Sequence, residues 1–352
     1  MYLRGISTAT PAKRFTKAEC LAAFERSDWY QRLGIRAHLI ARTVLQRDNG
    51  IEARRLAVDT LDDVFTIDPD TLARRFVDHA PLLAGVAASR ALRASGTAVE
   101  AIDALVVSTC TGYLCPGLSG YVAERLGLRA DVRAYDLVGQ GCGAALPNLQ
   151  LGRALLATPE CGRVLSVCVE VSSAAMYLDD DPGVLISACL FGDGAGAAVL
   201  SRDAAGPGRR VAWVDGASVL DPSQRSALMF EQRDGMLRNI LTREVPGLAA
   251  ERAQQLLDTV LARADLRPDD IATWIFHAGG RDVLHALERR LDLERDAFRY
   301  SAAMLREYGN LSSAFVYFVL AAALADDAPA GWWWLSAFGA GFSAHGALLE
   351  VR

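Results

Sequence analysis

Cys142 sits in Gly139-Gln-Gly-Cys142-Gly, between an apolar strand-like segment and a small-residue helical pattern. A thiol on a tight strand-to-helix turn is well placed to be a nucleophile. The glycines allow a sharp bend and leave room beside the sulfur. Unpaired N–H groups at the helix start favour the thiolate. Alone, the stretch reads equally well as a buried cysteine acting as a small hydrophobe. Two other residues complete a reactive set. His277, in Phe276-His-Ala-Gly-Gly280, can take a thiol proton and hold the resulting ion pair. Asn310, in Tyr308-Gly-Asn-Leu-Ser-Ser-Ala314, supplies an N–H donor without acid–base chemistry. With His277 it can stabilise an oxyanion or enolate. The set suits hydrolysis, and it suits acyl transfer with carbon–carbon bond formation. Composition and spacing leave both open, and either residue taken singly reads as structural.

Positioning these residues falls to strands alternating with helices, the mark of an α/β architecture. Residues 1–10 read as a strand, 15–65 as helical with breaks at Gly34 and Asn49-Gly50, and 71–95 as a long helix. Apolar runs at 101–108, 132–138, 163–171 and 271–276 read as buried strands. Helical patterns cover 118–128, 142–156, 281–292 and 311–325, and 332–335 and 347–351 close the chain as strands. The layout looks duplicated. Ser108, at a strand end, lies 34 residues before Cys142, and His277 lies 33 before Asn310. In both halves a turn residue then opens a core helix. A pseudo-twofold arrangement would bring Cys142, His277 and Asn310 to one centre. The division is drawn as residues 1–205, carrying the cysteine, and 206–352, carrying the histidine and asparagine.

Composition narrows the classes. A net charge of −5 argues against a nucleic-acid binder. The seven cysteines are odd in number and include no Cys-x-x-Cys, which disfavours a disulfide scaffold or structural zinc and fits a reducing cytoplasm. The start lacks a signal peptide's long apolar core. The longest apolar run, 314–325, is too short to span a bilayer and reads as a buried core helix. The glycine-rich stretches 192–196 and 339–346 are not dinucleotide fingerprints, and are expected to shape a cavity floor.

From about Gly50 to the C-terminus the chain resembles the type III polyketide synthases, relatives of chalcone and stilbene synthase in the thiolase superfamily. The resemblance rests on Gly139-Gln-Gly-Cys142, Leu190-Phe-Gly-Asp-Gly-Ala195, Glu244-Val-Pro-Gly247, Phe276-His-Ala-Gly-Gly280, Tyr308-Gly-Asn-Leu-Ser-Ser-Ala314 and Phe338-Gly-Ala-Gly-Phe342, in that order. It implies an α/β thiolase-like αβαβα layered fold with two pseudo-twofold halves and an iterative homodimeric enzyme. Cys142 would be acylated by a starter acyl-CoA. His277 and Asn310 would promote decarboxylation of malonyl-CoA, and the enolate would attack the thioester. The lengthened chain would then cyclise to a pyrone or resorcinol-type product. The stretch 338–346 departs from the plant loop and looks more like bacterial members that make alkylpyrones or alkylresorcinols. No metal, nicotinamide or other cofactor is implied, since CoA thioesters serve directly.

The same resemblance carries further positions. Phe191 matches a gatekeeper phenylalanine, and Asn239 falls where plant enzymes have a second one. Cavity positions fall on Cys110, Ser172, Ala175, Phe230, Ser312 and Phe338. Cys115 falls where the family has a residue reaching across the dimer interface. CoA contacts fall on Arg42, with Arg47, Arg54 or Arg55 as substitutes in the same basic cluster, and on Ala278, Gly279 and Gly280. Asn239, in place of an aromatic, suggests a wide tunnel mouth that tolerates long acyl chains. The nearest rival is an initiating-type ketoacyl synthase using a carrier protein, which would share the same three residues. A cysteine hydrolase or an inactive scaffold finds little support in these motifs.

Overall fold

The computed structural model describes residues 1–204 and 206–352; residue 205, at the expected division between the halves, lies outside the described residues. The chain begins with β1 (Tyr2–Ala9), β2 (Arg14–Thr16), α1 (Lys17–Arg26), α2 (Asp28–Arg32), α3 (Ile35–Gln46) and β3 (Ala53–Arg55). Then follow α4 (Pro69–Ser95), β4 (Ala104–Thr109), α5 (Leu118–Leu126), β5 (Arg133–Val138), α6 (Ala145–Leu156), β6 (Arg163–Glu170), α7 (Pro182–Leu190) and β7 (Gly194–Ser201). Beyond these lie β8 (Val211–Leu220), β9 (Leu228–Arg233), β10 (Met236–Leu241), α8 (Val245–Ala264), β11 (Ile271–Phe276) and α9 (Arg281–Leu291). The chain closes with α10 (Arg299–Tyr308), α11 (Phe315–Ala325), β12 (Gly331–Gly339) and β13 (Ser343–Val351).

Strand pairing makes the duplication visible. The large sheet runs β5-β4-β6-β7-β1 and continues through β8-β13-β12-β11. From the middle outward, β1-β7-β6-β4 and β8-β13-β12-β11 repeat one pattern, antiparallel, antiparallel, then parallel. Between the two runs lie α6 and α11, which touch strands of both. Outside them α4 and α5 cover one run, and α8 and α9 the other. This is the α/β thiolase-like αβαβα layering. The apolar run at 314–325 is indeed a core helix, with Phe315, Val316, Phe318, Val319 and Leu320 all buried. Each such side chain contributes about 1.5–3 kcal/mol of burial. On the outer face, Ala80, Ala84, Ala87, Ala88 and Ala91 give α4 a small-residue surface that lies close on β1. Gly5 makes that approach possible, since a Cβ there would lie 2.1 Å from the Ala91 carbonyl oxygen.

Buried polar groups fix how the helices sit on the sheet. The Asn148 amide on α6 donates to Val106 O (3.1 Å), Ser108 Oγ (2.8 Å) and Val167 O (3.1 Å). Its oxygen accepts from Ser166 Oγ at 2.6 Å, and Ser166 meets Tyr317 Oη of α11 at 2.6 Å. One chain of hydrogen bonds thus joins both central helices to the sheet, and such buried groups are costly unless paired.

Two local expectations change. Residues 15–65 are not helical throughout: Arg14–Thr16 pairs antiparallel with Ala53–Arg55 across the three short helices. The stretches 192–196 and 339–346 are mostly strand, because β7 begins at Gly194 and β13 at Ser343. Only a short non-strand piece remains in each, and Ala340 and Gly341 of the second line a cavity of about 590 Å³.

Candidate active site

Cys142 lies in a 3-10 turn, Gly141–Gly143, between the end of β5 and α6. Gly141 has φ +60°, and a Cβ there would fall 2.7 Å from the Ala340 amide nitrogen. The turn therefore sits directly on the β12–β13 hairpin. The matching place in the other half is a second 3-10 turn, Ser312–Ala314, leading into α11 and packed against the first. Asn310 precedes this turn, and its main chain is bridged to Phe191. Asn310 N donates to Leu190 O, and Gly192 N donates to Asn310 O, each at 2.9 Å. His277 follows β11 and is buried, its ring edge-on to Phe315 with centroids 5.4 Å apart.

These elements bring Cys142, His277 and Asn310 to the walls of one cavity of about 790 Å³. Phe191, Asn239, Phe338, Gly279 and Gly280 line it too. The Asn310 amide is oriented at both ends. Its Oδ1 accepts from Ser312 N at 2.8 Å and its Nδ2 donates to Gly279 O at 3.2 Å, which leaves one N–H unused. His277 Nδ1 has no hydrogen-bond partner among the described residues. Burial lowers the pKa of the ring to about 3, so it is a neutral imidazole at pH 7. A neutral ring with one N–H, beside an amide with a free N–H, can hold a developing oxyanion.

The expected thiolate is not the resting form. Burial pushes the Cys142 thiol up to about 12, and the nearby Glu170 carboxylate adds to the rise. Its hydrogen bond comes from Ser312 Oγ at 3.3 Å, and none joins it to His277. Desolvation outweighs the single turn of helix beside the sulfur.

A smaller chamber adjoins the first, with Phe191 and Asn239 lining both. Asn239 Oδ1 accepts from Ser187 Oγ at 3.2 Å. Cys110, Ser172, Ala175, Phe230 and Ser312 line this inner space of about 30 Å³ and not the outer one. Behind it Glu170 is fully buried and accepts from Cys110 N (3.0 Å), Thr111 Oγ1 (2.9 Å) and Ser313 Oγ (2.5 Å). Burial raises the pKa of this carboxyl while the donors oppose the rise. The one sequence signal for Glu170 is a carboxylate ending a strand, Arg163–Glu170, whose other charge stands at the opposite end.

The basic groups at the rim differ from expectation. Arg47 lines the outer cavity, but Arg42 does not: its guanidinium is 2.8 Å from Glu25 and lies over the Tyr30 ring. Ala278 is buried away from the cavity between His277 and Gly279. Arg243, after β10, and Arg281, at the start of α9, line the rim and were not anticipated. Cys115 is exposed on the loop between β4 and α5, away from both chambers. Among the described residues, no helix is long and apolar enough to cross a membrane.

Comparisons with known proteins agree with this layout. A family profile described as FAE1/type III polyketide synthase-like protein matches residues 51–211, and one for the chalcone and stilbene synthases' C-terminal domain matches 219–350. A 1,3,6,8-tetrahydroxynaphthalene synthase of Streptomyces peucetius subsp. caesius is 36% identical over 274 residues, 76% of this chain and 72% of the relative. A 3,5-dihydroxyphenylacetyl-CoA synthase of Amycolatopsis balhimycina is 33% identical over 64% of this chain, and the match spans only 61% of that relative's length. The crystal structure of PKS-I from the brown alga Ectocarpus siliculosus superposes with a TM-score of 0.88 at 27% identity, covering 100% of this chain and 98% of that one. The similarity is thus carried by fold, by both halves of the sequence and by the order of the motifs, and the chain belongs to the type III polyketide synthase family.

Proposed function

We propose that this protein is an acyltransferase that condenses malonyl-CoA units onto an acyl-CoA starter held on Cys142. The observation that carries the reading is one cavity lined by a thiol, a neutral imidazole and an oriented amide. The Cys142 thiol gives up its proton as its sulfur attacks the starter's thioester carbonyl, the carbon–sulfur bond to CoA breaks, and CoA takes up that proton and leaves as its thiol. Malonyl-CoA then loses CO2, and the electron pair of the broken carbon–carbon bond becomes an enolate. Its oxygen is held by N–H donors from His277 and Asn310. The enolate carbon attacks the acyl carbon on Cys142, the new carbon–carbon bond forms, and the sulfur is released. No further cofactor enters this scheme.

Gly279 and Gly280 let a pantetheine arm pass close to the main chain, and Arg47, Arg243 and Arg281 stand at the rim where phosphates would lie. Relatives named for 3,5-dihydroxyphenylacetyl-CoA and for tetrahydroxynaphthalene favour a short chain closed to a resorcinol-type ring over an alkylpyrone. We further propose that the active form is a homodimer in which the exposed loop bearing Tyr113 and Cys115 reaches the partner. The experiment is product analysis by mass spectrometry with malonyl-CoA alone and with starters from acetyl-CoA to long acyl-CoA. Extended products from malonyl-CoA or short starters are expected, and Cys142→Ala should lose extension but keep some decarboxylation. Absence of both decarboxylation and extension with every starter would refute the reading.

A further inference from the structure

Arg54 is a buried guanidinium that the chemistry above does not use. It stands in β3 and is only 6% exposed. A buried charge is costly unless it is well hydrogen-bonded. Arg54 meets this need with main-chain carbonyls. Its Nη1 donates to Ala188 O at 2.7 Å and to Phe191 O at 3.0 Å. These carbonyls lie at and just beyond the last turn of α7, where helical oxygens lack donors and the dipole is negative.

The segment so held is the one that carries both Phe191 and the bridge to Asn310. Leu190 O accepts from Asn310 N, and Asn310 O accepts from Gly192 N. The arginine stem also reaches the other side of the bridge, since a Cβ on Gly309 would lie 3.1 Å from Arg54 Cγ. Next to it, Arg55 O accepts from Asp193 N at 2.8 Å. One side chain therefore bears on the main chain that carries Phe191 and on the main chain that leads into Asn310. Neither contact places Arg54 in the cavity with the reacting groups.

We propose that Arg54 is a positioning residue that fixes the spacing between Phe191 and Asn310, and so couples decarboxylation to condensation. This rests on the roles given above to Cys142, His277 and Asn310. With Arg54 in place, an enolate formed beside Asn310 meets the acyl group on Cys142. With Phe191 and Asn310 displaced, the enolate takes up a proton and leaves as acetyl-CoA.

The test compares wild type, Arg54→Met and Arg54→Lys in the full chain. The quantities read are acetyl-CoA released per extended product, kcat and KM for malonyl-CoA, and melting temperature. For Arg54→Met, a displacement of about 1 Å should lower kcat for extension roughly tenfold to a hundredfold. KM should change little, and acetyl-CoA per product should rise. Arg54→Lys keeps the charge on a shorter reach and should restore part of the coupling, and it decides the matter should the methionine variant not fold. A lower melting temperature with an unchanged ratio of acetyl-CoA to product in a folded variant would overturn the proposal. A wild-type protein that decarboxylates nothing would instead overturn the functional reading beneath it.

Discussion

The hydroxyl of Ser312 should tune the nucleophile, and the size of the effect follows from its contacts. Ser312 Oγ lies 3.3 Å from Cys142 Sγ and donates to it. A hydrogen bond to a charged group contributes about 1.5–3 kcal/mol, and one to a neutral group about 0.5–1.5 kcal/mol. The thiolate thus gains about 1–1.5 kcal/mol more than the thiol, close to one pKa unit at 1.36 kcal/mol per unit. Ser312→Ala should raise the Cys142 pKa by about one unit and slow its alkylation about tenfold at any pH below that pKa. Glu170 acts with the opposite sign. Its carboxylate raises the thiol pKa, so Glu170→Gln should lower it and speed alkylation. The assay is the rate of iodoacetamide labelling of the Cys142 peptide, followed by mass spectrometry from pH 7 to 10. A Ser312→Ala variant labelled as fast as wild type, or faster, would refute the reasoning.

Three other outcomes are expected. Arg47→Ala and Arg243→Ala should each raise KM for malonyl-CoA by up to about tenfold, the scale of one charge-assisted hydrogen bond. They should leave a malonyl thioester without phosphates unaffected, and Arg42→Ala should leave both substrates unchanged. Asn239→Phe should cost about 1–3 kcal/mol by overpacking and shorten the products by narrowing the passage between the chambers; an unaltered product distribution would contradict that placement. Burial lowers His277 to about 3 and His345, buried in β13 with its Nδ1 2.8 Å from Ser218 Oγ, to about 4 from 6.5, so the folded rings stay neutral where unfolded ones take up protons. Stability from this source is full above about pH 6.5 and falls below it by roughly 1.4 kcal/mol per pH unit for each ring. Urea denaturation at pH 7 and pH 5 measures the loss, and His345→Gln should reduce it by about half.

Much of the scaffold was legible because its signals are local. Apolar runs of six to nine residues marked β4, β6 and β11, and the run at 314–325 marked α11. Local patterning did not reveal that Arg14–Thr16 pairs with Ala53–Arg55, since three-residue strands carry too little periodicity and their partners lie far apart in sequence. The same limit hid Glu170, whose partners come from two segments distant from it in sequence.

For the site, the sequence by itself determined the reactive residue types and the near-equal spacings that point to one centre. It also bounded the class, through charge, cysteine usage and the order of the motifs. Only the tertiary structure decided how the cavity residues divide between two chambers, that Arg42 is spent on Glu25 while Arg243 reaches the rim, and that the thiol rests protonated. The reason is physical. Residue type fixes what a group can do, whereas protonation and partnership depend on desolvation and on neighbours brought from distant parts of the chain. Cys142 shows both, its chemistry written in its side chain and its charge set by burial, Ser312 and Glu170.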